Sequence, residues 1–409
     1  MDESATSPAP RRGLKGIPRG VWALGFVSLL MDTSSELIHS LLPVFLVSVL
    51  GASALSVGVI EGVAEATAAI VKVFSGTLSD YLGKRKSLAV AGYGLAALTK
   101  PLFPLAGSVG WVFAARFVDR IGKGIRGAPR DALIGDIAPP ALRGACYGLR
   151  QSLDTVGAFT GPLLGLLFMA LLADNIHAVF WIAVAPAVLA VAVLVVAVEE
   201  PPATRERAGR VHAPIRARDV ARMGAGYWLL TVVAAVLTMA RFSEAFLVLR
   251  AQNLGMRLTW IPLVIVLMSI VYALSSYPAG VLSDRIDRKR VLLLGIVFLL
   301  AADFCLATAR GVSFAMLGVA LWGLHMGFSQ GLLSTMVADA APAALRGTAF
   351  GVYNLICGVT MLLASVLAGW LWGRFEPEAT FAAGGGFAFV AALLLLALAG
   401  REAGGRRFR

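Results

Sequence analysis

The sequence predicts an all-α membrane protein of about twelve transmembrane helices in two pseudo-symmetric six-helix bundles. Three observations carry that expectation. Hydrophobic residues make up 58% of the 409-residue chain, and its mean hydropathy is +0.80, so it has too little polar surface to cover a water-soluble globule of this size. Apolar runs of about 20 residues, the length an α-helix needs to cross the hydrocarbon core, recur from one end to the other. Motifs of the first half return in the second at a nearly constant offset. Backbone polar groups in lipid are satisfied only within helices or closed barrels, and these runs lack the two-residue alternation of barrel strands.

The first six spans fall near Val21–Leu50, Leu55–Leu78, Ser87–Ala106, Trp111–Ile134, Ala145–Leu172 and Ala178–Val198. The second six fall near Gly226–Leu249, Trp260–Leu282, Val291–Ala307, Phe314–Val337, Thr348–Trp372 and Phe381–Leu398. Basic residues sort to one side: Arg11, Arg12, Lys15, Arg19, Lys84–Lys86, Arg143, the Arg-rich stretch 205–222, Arg285–Arg290, Arg346 and Arg406–Arg409. Arg250, Arg257, Arg310 and Arg374 are scattered exceptions on the other side. By the positive-inside rule both termini are expected in the cytoplasm and the chain in the inner membrane. Residues 1–19 then form a cytoplasmic tail, 20–198 the first bundle, 199–223 a polar, Pro-containing cytoplasmic linker, 224–400 the second bundle and 401–409 a second tail. The net charge of +12 lies in short clusters between spans rather than on one continuous face, which argues for membrane topology and against nucleic acid.

Self-similarity supports two related halves. Gly76-Thr-Leu-Ser-Asp80-Tyr-Leu-Gly83-Lys84-Arg85-Lys86 follows the second span, and Gly280-Val-Leu-Ser-Asp284-Arg285-Ile-Asp287-Arg288-Lys289-Arg290 follows the eighth, 204 residues on. Asp136-Ile-Ala-Pro-Pro-Ala-Leu-Arg143-Gly144 returns as Asp339-Ala-Ala-Pro-Ala-Ala-Leu-Arg346-Gly347 after 203 residues, and Met31…Ser35-Glu36 returns as Met239…Ser243-Glu244 after 208.

These residues resemble the major facilitator superfamily along nearly the whole chain. Its loop signature between helices two and three, G-x-x-x-D-x-x-G-R-K-R in outline, matches Gly76, Asp80, Gly83, Lys84, Arg85 and Lys86, and again Gly280, Asp284 and Arg288, with Asp287 in place of the second glycine. The fourth-span pattern R-x-x-Q-G-x-G resembles Arg120-Ile-Gly-Lys123-Gly124-Ile-Arg126, with Lys and Arg where Gln and Gly are usual. The fifth-span pattern G-x8-G-x3-G-P-x2-G-G matches Gly148, Gly157, Gly161, Pro162 and Gly165 and fails at Leu166. Members with that last pattern are mostly proton-driven exporters, so the resemblance implies antiport. Physically, Asp80 at a helix end beside a basic turn can lock onto a helix N-terminus or an arginine in a closed state. Lys84–Lys86 serve equally well as headgroup anchors. Small-residue helix packing accounts for Gly157, Gly161 and Pro162 as well as an antiporter role does.

Ionisable groups at membrane depth are costly, so they normally face a cavity or a partner. Asp32, Glu36 and His39 share one face of the first span, and Glu61, Glu65 and Lys72 share one of the second. Arg116, Asp119, Arg120, Lys123 and Arg126 lie in the fourth span, and Arg150 and Asp154 in the fifth. The second half carries Arg241 and Glu244 in the seventh span, Asp303 in the ninth and His325 in the tenth. Asp32 and Glu36 are the first-choice proton carriers and Glu61 and Glu65 the second. Holding helices together against the span-four bases is the alternative for any one of them. His177, His325 and the cysteines Cys146, Cys305 and Cys357 read as packing residues.

The resulting expectation is proton-coupled export of a small molecule by alternating access. Symport of an organic anion held by Arg120, Lys123 or Arg150, and export of a divalent metal held by Asp32, Glu36 and His39, are the alternatives. No GxxxxGK[ST], HExxH or CxxC occurs, which argues against an enzyme or an ATP-driven pump. The expected partners are a small-molecule substrate, protons and membrane lipids; no cofactor beyond the proton as coupling ion and no metal centre are expected, and the chain is expected to be a monomer.

Overall fold

The computed structural model describes residues 16–200, 217–342 and 345–406, without the side chains of Asp80, Ala141, Ala217 and 398–406. The expected N-terminal tail up to Lys15, most of the linker and the last tail residues lie outside the described residues. The chain forms twelve long helical segments among those described: α1 Arg19–Val49, α2 Ala54–Leu82, α3 Arg85–Thr99, α4 Val109–Ile137, α5 Arg143–Leu171 and α6 Ile176–Ala197, then α7 Ala225–Asn253, α8 Pro262–Arg285, α9 Arg288–Thr308, α10 Val312–Ala340, α11 Arg346–Phe375 and α12 Pro377–Arg406. Ten are long and apolar enough to cross a membrane. The exceptions have physical reasons: α3 is only 15 residues long, and α4 carries Arg116, Asp119, Arg120, Lys123, Arg126, Arg130 and Asp131.

Local chemistry sets the helix ends. The Ser53 hydroxyl accepts from the Ser56 amide to cap α2, Ser108 does the same for the Trp111 amide in α4, and Asp287 accepts from Lys289 at the start of α9. Gly83 ends α2 in the left-handed region (φ 58°), its amide donating to the Ser79 carbonyl, a conformation that disfavours any side chain.

The seventh span departs from expectation. It is not one helix from Gly226 to Leu249: an α-helix ends at Ala240, residues 241–244 leave the helix, and a second begins at Ala245. The first span is also interrupted, at Ser40–Leu41, and finishes in a π-helical turn, Phe45–Val49.

Helix packing repeats with a shift of six. In the first half α1 packs on α5 and α6, α2 on α4, and α3 on α4 and α6; in the second α7 packs on α11 and α12, α8 on α10, and α9 on α10 and α12. The halves meet through α2 against α11 and α5 against α8, themselves related by the same shift. Close approach depends on glycine. A Cβ at Gly58 of α2 would fall 2.1 Å from the Ser365 carbonyl oxygen of α11, and one at Gly369 of α11 would fall 2.5 Å from that of Ala54. Large apolar side chains such as Leu98 and Val196 point outward, as a lipid-facing surface requires.

Candidate functional site

Between the halves lies a cavity of about 1170 Å³. Nine of the ionisable residues selected from the sequence line it, beside Gly76 of the loop motif: Asp32 and Glu36 from α1, Glu65 and Lys72 from α2, Lys123 and Arg126 from α4, Arg150 and Asp154 from α5, and Glu244 from the break in α7. The facing wall, from α8, α10 and α11, is largely apolar, with Ile265, Met268, Tyr272, Met326, Phe350 and Asn354. The cavity reaches Thr77 and Gly347, close to the basic loops. At the other end the halves are joined by a hydrogen bond from Gln252 to Ser48 and by one of 2.7 Å from the Thr259 hydroxyl to Asp174.

The acids of α1 are aimed by α5. A Cβ at Gly157 would lie 2.5 Å from the Leu29 carbonyl oxygen and 3.1 Å from Asp32 Cβ; one at Gly161 would lie 2.7 Å from the Thr33 carbonyl oxygen and 2.9 Å from Glu36 Cβ. With no side chains in the way, α5 lies flush against α1 directly beside the two acids. Pro162 is buried in this contact, and Gly165 faces Ser40 and Pro262. A Cβ at Gly148 would meet nothing within 4 Å among the described residues, so the first glycine of the pattern takes no part in this contact.

His39, Glu61, Asp119, Arg120 and Arg241 do not line the cavity, nor do Arg116, Asp303 and His325. His39, Glu61, Asp119 and Arg120 are held in three separate sets of contacts behind its charged wall. Arg116 Nη2 donates to Glu61 Oε2 at 2.8 Å, while His39 bridges Glu36 (3.2 Å) and Glu61 (3.3 Å) through its two ring nitrogens. Arg120 pairs with Glu65 at 3.3 Å. Lys100 donates to Asp119 Oδ1 at 2.8 Å and to the Ser35 hydroxyl at 3.0 Å. Nearer the cavity, Arg126 is 4.0 Å from Asp32 and stacks over the Tyr93 ring at 4.8 Å. Asp154 receives Arg150 at 2.9 Å and Arg130 at 3.7 Å. Lys100 and Arg130 were missed by sequence reasoning, although both fall inside expected spans, Ser87–Ala106 and Trp111–Ile134, where an ionisable residue is itself the signal.

In the second half Arg241 leaves a buried guanidinium nitrogen, Nη1, without a hydrogen-bond partner among the described residues. Asp303 is 1% exposed, and among the described residues neither of its carboxylate oxygens has a hydrogen-bond partner. His325 Nδ1 lies 2.8 Å from the Gly295 carbonyl, and His177 sits edge-on to Phe45 at 5.1 Å, both packing contacts. Among the described residues no group of three or more His, Cys, Asp or Glu side chains is placed to hold a metal ion.

The repeated loops hold matching ion pairs. Arg85 pairs with Asp136 and donates to the Ala132 carbonyl at 3.1 Å; Arg288, 203 residues on, pairs with Asp339. The Asp80 side chain, expected to form a lock, lies outside the described residues. Lys84 and Asp284 are exposed, Gly76 packs toward Ala128, and Gly280 meets nothing within 4 Å.

A family model described as Major Facilitator Superfamily matches residues 24–257 and again 229–408. The chain belongs to the Major Facilitator Superfamily. An MFS-type transporter of Methanocaldococcus jannaschii is 34% identical over 389 residues, covering 93% of this chain and 95% of the relative. The inner membrane transport protein YajR of Escherichia coli is 23% identical over 386 residues, 90% of this chain and 81% of that protein. Of solved structures, the nucleoside transporter NupG superposes with a TM-score of 0.79 at 14% identity, over 92% of this chain and 99% of that one. The peptide transporter POT reaches 0.78 at 16% identity, over 96% of each. These two likenesses carry the MFS fold, and membership makes the chain a multi-pass membrane transporter of a small molecule.

Proposed function

We propose that this MFS protein is a proton-coupled antiporter that exports its cargo from the cytoplasm across the inner membrane by alternating access. The reading rests on one observation: Asp32 and Glu36 share a cavity-lining face of α1 and are set there by the close-packed glycines of α5. Glu36 continues through His39 to the buried Glu61–Arg116 pair. A carboxylate with one side toward water and the other in a charge network exchanges a proton as the cavity opens and closes, because solvation and neighbouring charge alter the balance between its two forms.

With the basic loops in the cytoplasm, both termini are cytoplasmic and the cavity faces inward. Arg85–Asp136 and Arg288–Asp339 then brace the loops at the cytoplasmic ends of the helices, where rocking of the halves must remake contacts.

The test is reconstitution with an internal pH dye. An imposed inward proton gradient is expected to drive accumulated cargo out of right-side-out vesicles, and Glu36→Gln is expected to uncouple proton movement while cargo still binds. Normal pH-driven flux by purified Glu36→Gln protein refutes the assignment of Glu36.

A further inference from the structure

The membrane-depth cations of the first half divide into two kinds. Arg116, Arg120, Arg126, Arg130, Arg150 and Lys100 each lie within 4.0 Å of a carboxylate. Lys72 and Lys123 have no such partner among the described residues, and both line the cavity. They border the same patch of α4. The Lys72 stem lies across Gly127, whose added Cβ would fall 3.7 Å from Lys72 Cε, and Lys123 stands one turn before Gly127 on the same face. Beside them Arg126, 4% exposed and on the cavity wall, keeps a buried guanidinium nitrogen, Nη1, with no hydrogen-bond partner among the described residues. A buried donor unmet among the described residues, next to two ammonium groups with no carboxylate within 4.0 Å, is a place for an acceptor.

The carboxylates of the same wall are already engaged: Asp32 faces Arg126, Glu36 faces His39, Glu65 faces Arg120, and Asp154 faces Arg150 and Arg130. Glu244, at the α7 break, is the cavity acid outside these pairs. Across the cavity the wall offers Ile265, Met268, Tyr272 and Phe350. A ligand that fits both walls has an anionic head and an apolar body.

We infer that the cargo is an amphiphilic organic anion, its head seated between Lys72 and Lys123 within reach of Arg126 and its body against the apolar wall. This inference rests on the transport reading of the same cavity and adds the cargo's chemical class. Outward movement of an anion in exchange for an inward proton shifts two charges in the sense an interior-negative membrane favours, so the cargo class agrees with the proposed direction.

Binding separates this inference from the coupling mechanism, because it is read at one pH with no gradient. The full-length protein in lipid nanodiscs is titrated calorimetrically with 4-phenylbutyrate, its neutral amide and 4-phenylbutylamine. The carboxylate is expected to bind at least about tenfold tighter than the amide or the amine, the worth of one charge-assisted hydrogen bond. Replacing both Lys72→Gln and Lys123→Gln is expected to remove that preference, and the Lys72→Arg, Lys123→Arg protein to keep it at an unchanged melting temperature. Equal or tighter binding of the amine or the amide, no heat from the carboxylate up to millimolar concentration, or full preference in the double glutamine variant overturns the inference. Failure of pH-driven flux with the carboxylate preference intact overturns the export reading alone.

Discussion

Gly58→Ala tests how the halves hold the far end of the cavity closed. An ideal Cβ on Gly58 lies 2.1 Å from the Ser365 carbonyl oxygen, and since a carbon needs about 3.3 Å from such an oxygen, α2 and α11 must part locally by roughly 1.2 Å. A gap of that size forfeits a quarter to a half or more of the dispersion between the lining atoms. Overpacking a close contact costs about 1–3 kcal/mol. The strain exists only while these helices touch, so it raises the closed state alone and shifts the population toward opening at this end by about 5- to 150-fold. Spin labels at Ser53→Cys and Arg374→Cys, exposed positions near the two helix ends, in a background lacking the three native cysteines, report the change as a longer distance by electron resonance. Gly386→Ala is the control: nothing lies within 4 Å of its Cβ, so it is expected to leave the distance unchanged and to stabilise α12 by up to about 1 kcal/mol. An unaltered distance distribution in a Gly58→Ala protein that melts like the wild type refutes the reasoning.

Glu61→Gln leaves Arg116, 2% exposed, as an uncompensated buried charge, and is expected to cost about 3–5 kcal/mol, read as a lower melting temperature, with much of it recovered when Arg116→Met is added; a wild-type melt for the single variant refutes this. Arg85→Asp and Asp136→Arg are each expected to slow transport and the exchange of both to restore it. The matching change at Arg288 and Asp339, whose side chains are 36% and 58% exposed, is expected to cost no more than about 1 kcal/mol; a larger defect there than at Arg85 contradicts the ranking. Asp303→Leu removes a buried carboxylate with no hydrogen-bond partner among the described residues and is expected to stabilise the protein by about 1–3 kcal/mol in a thermal melt; a drop in melting temperature refutes this.

Much of the architecture was legible because membrane helices obey few rules: length, apolarity and charge asymmetry place the spans, and recurrence of Asp80 with Asp284 and of Arg143 with Arg346 points to the duplication. Helical spacing also placed Asp32 and Glu36 on one face. The same spacing could not say how deep a residue sits. Glu65 borders the cavity while Glu61, one turn away, lies behind it, because what stands in front of each is decided by α4 rather than by α2. Lys100 was hidden for a related reason: its burial follows from the short 3-10 turn that tucks it beneath Asp119. The break after Ala240 was equally invisible, since Arg241-Phe-Ser-Glu interrupts a run whose apolarity continues on both sides.

Arg250 has a mechanical consequence for the second half. From the second segment of α7 it donates to the Leu306 and Ala309 carbonyls at the end of α9, at 3.0 and 2.9 Å, and pairs at 2.9 Å with Glu378 at the start of α12. One side chain therefore pins three helix tips to a common anchor, satisfying carbonyls that α9 would otherwise leave bare. Tips fastened in this way cannot splay independently, so a displacement begun at the opposite end travels through the bundle as tilt, and the hinge work falls on the interrupted stretch that Arg250 follows.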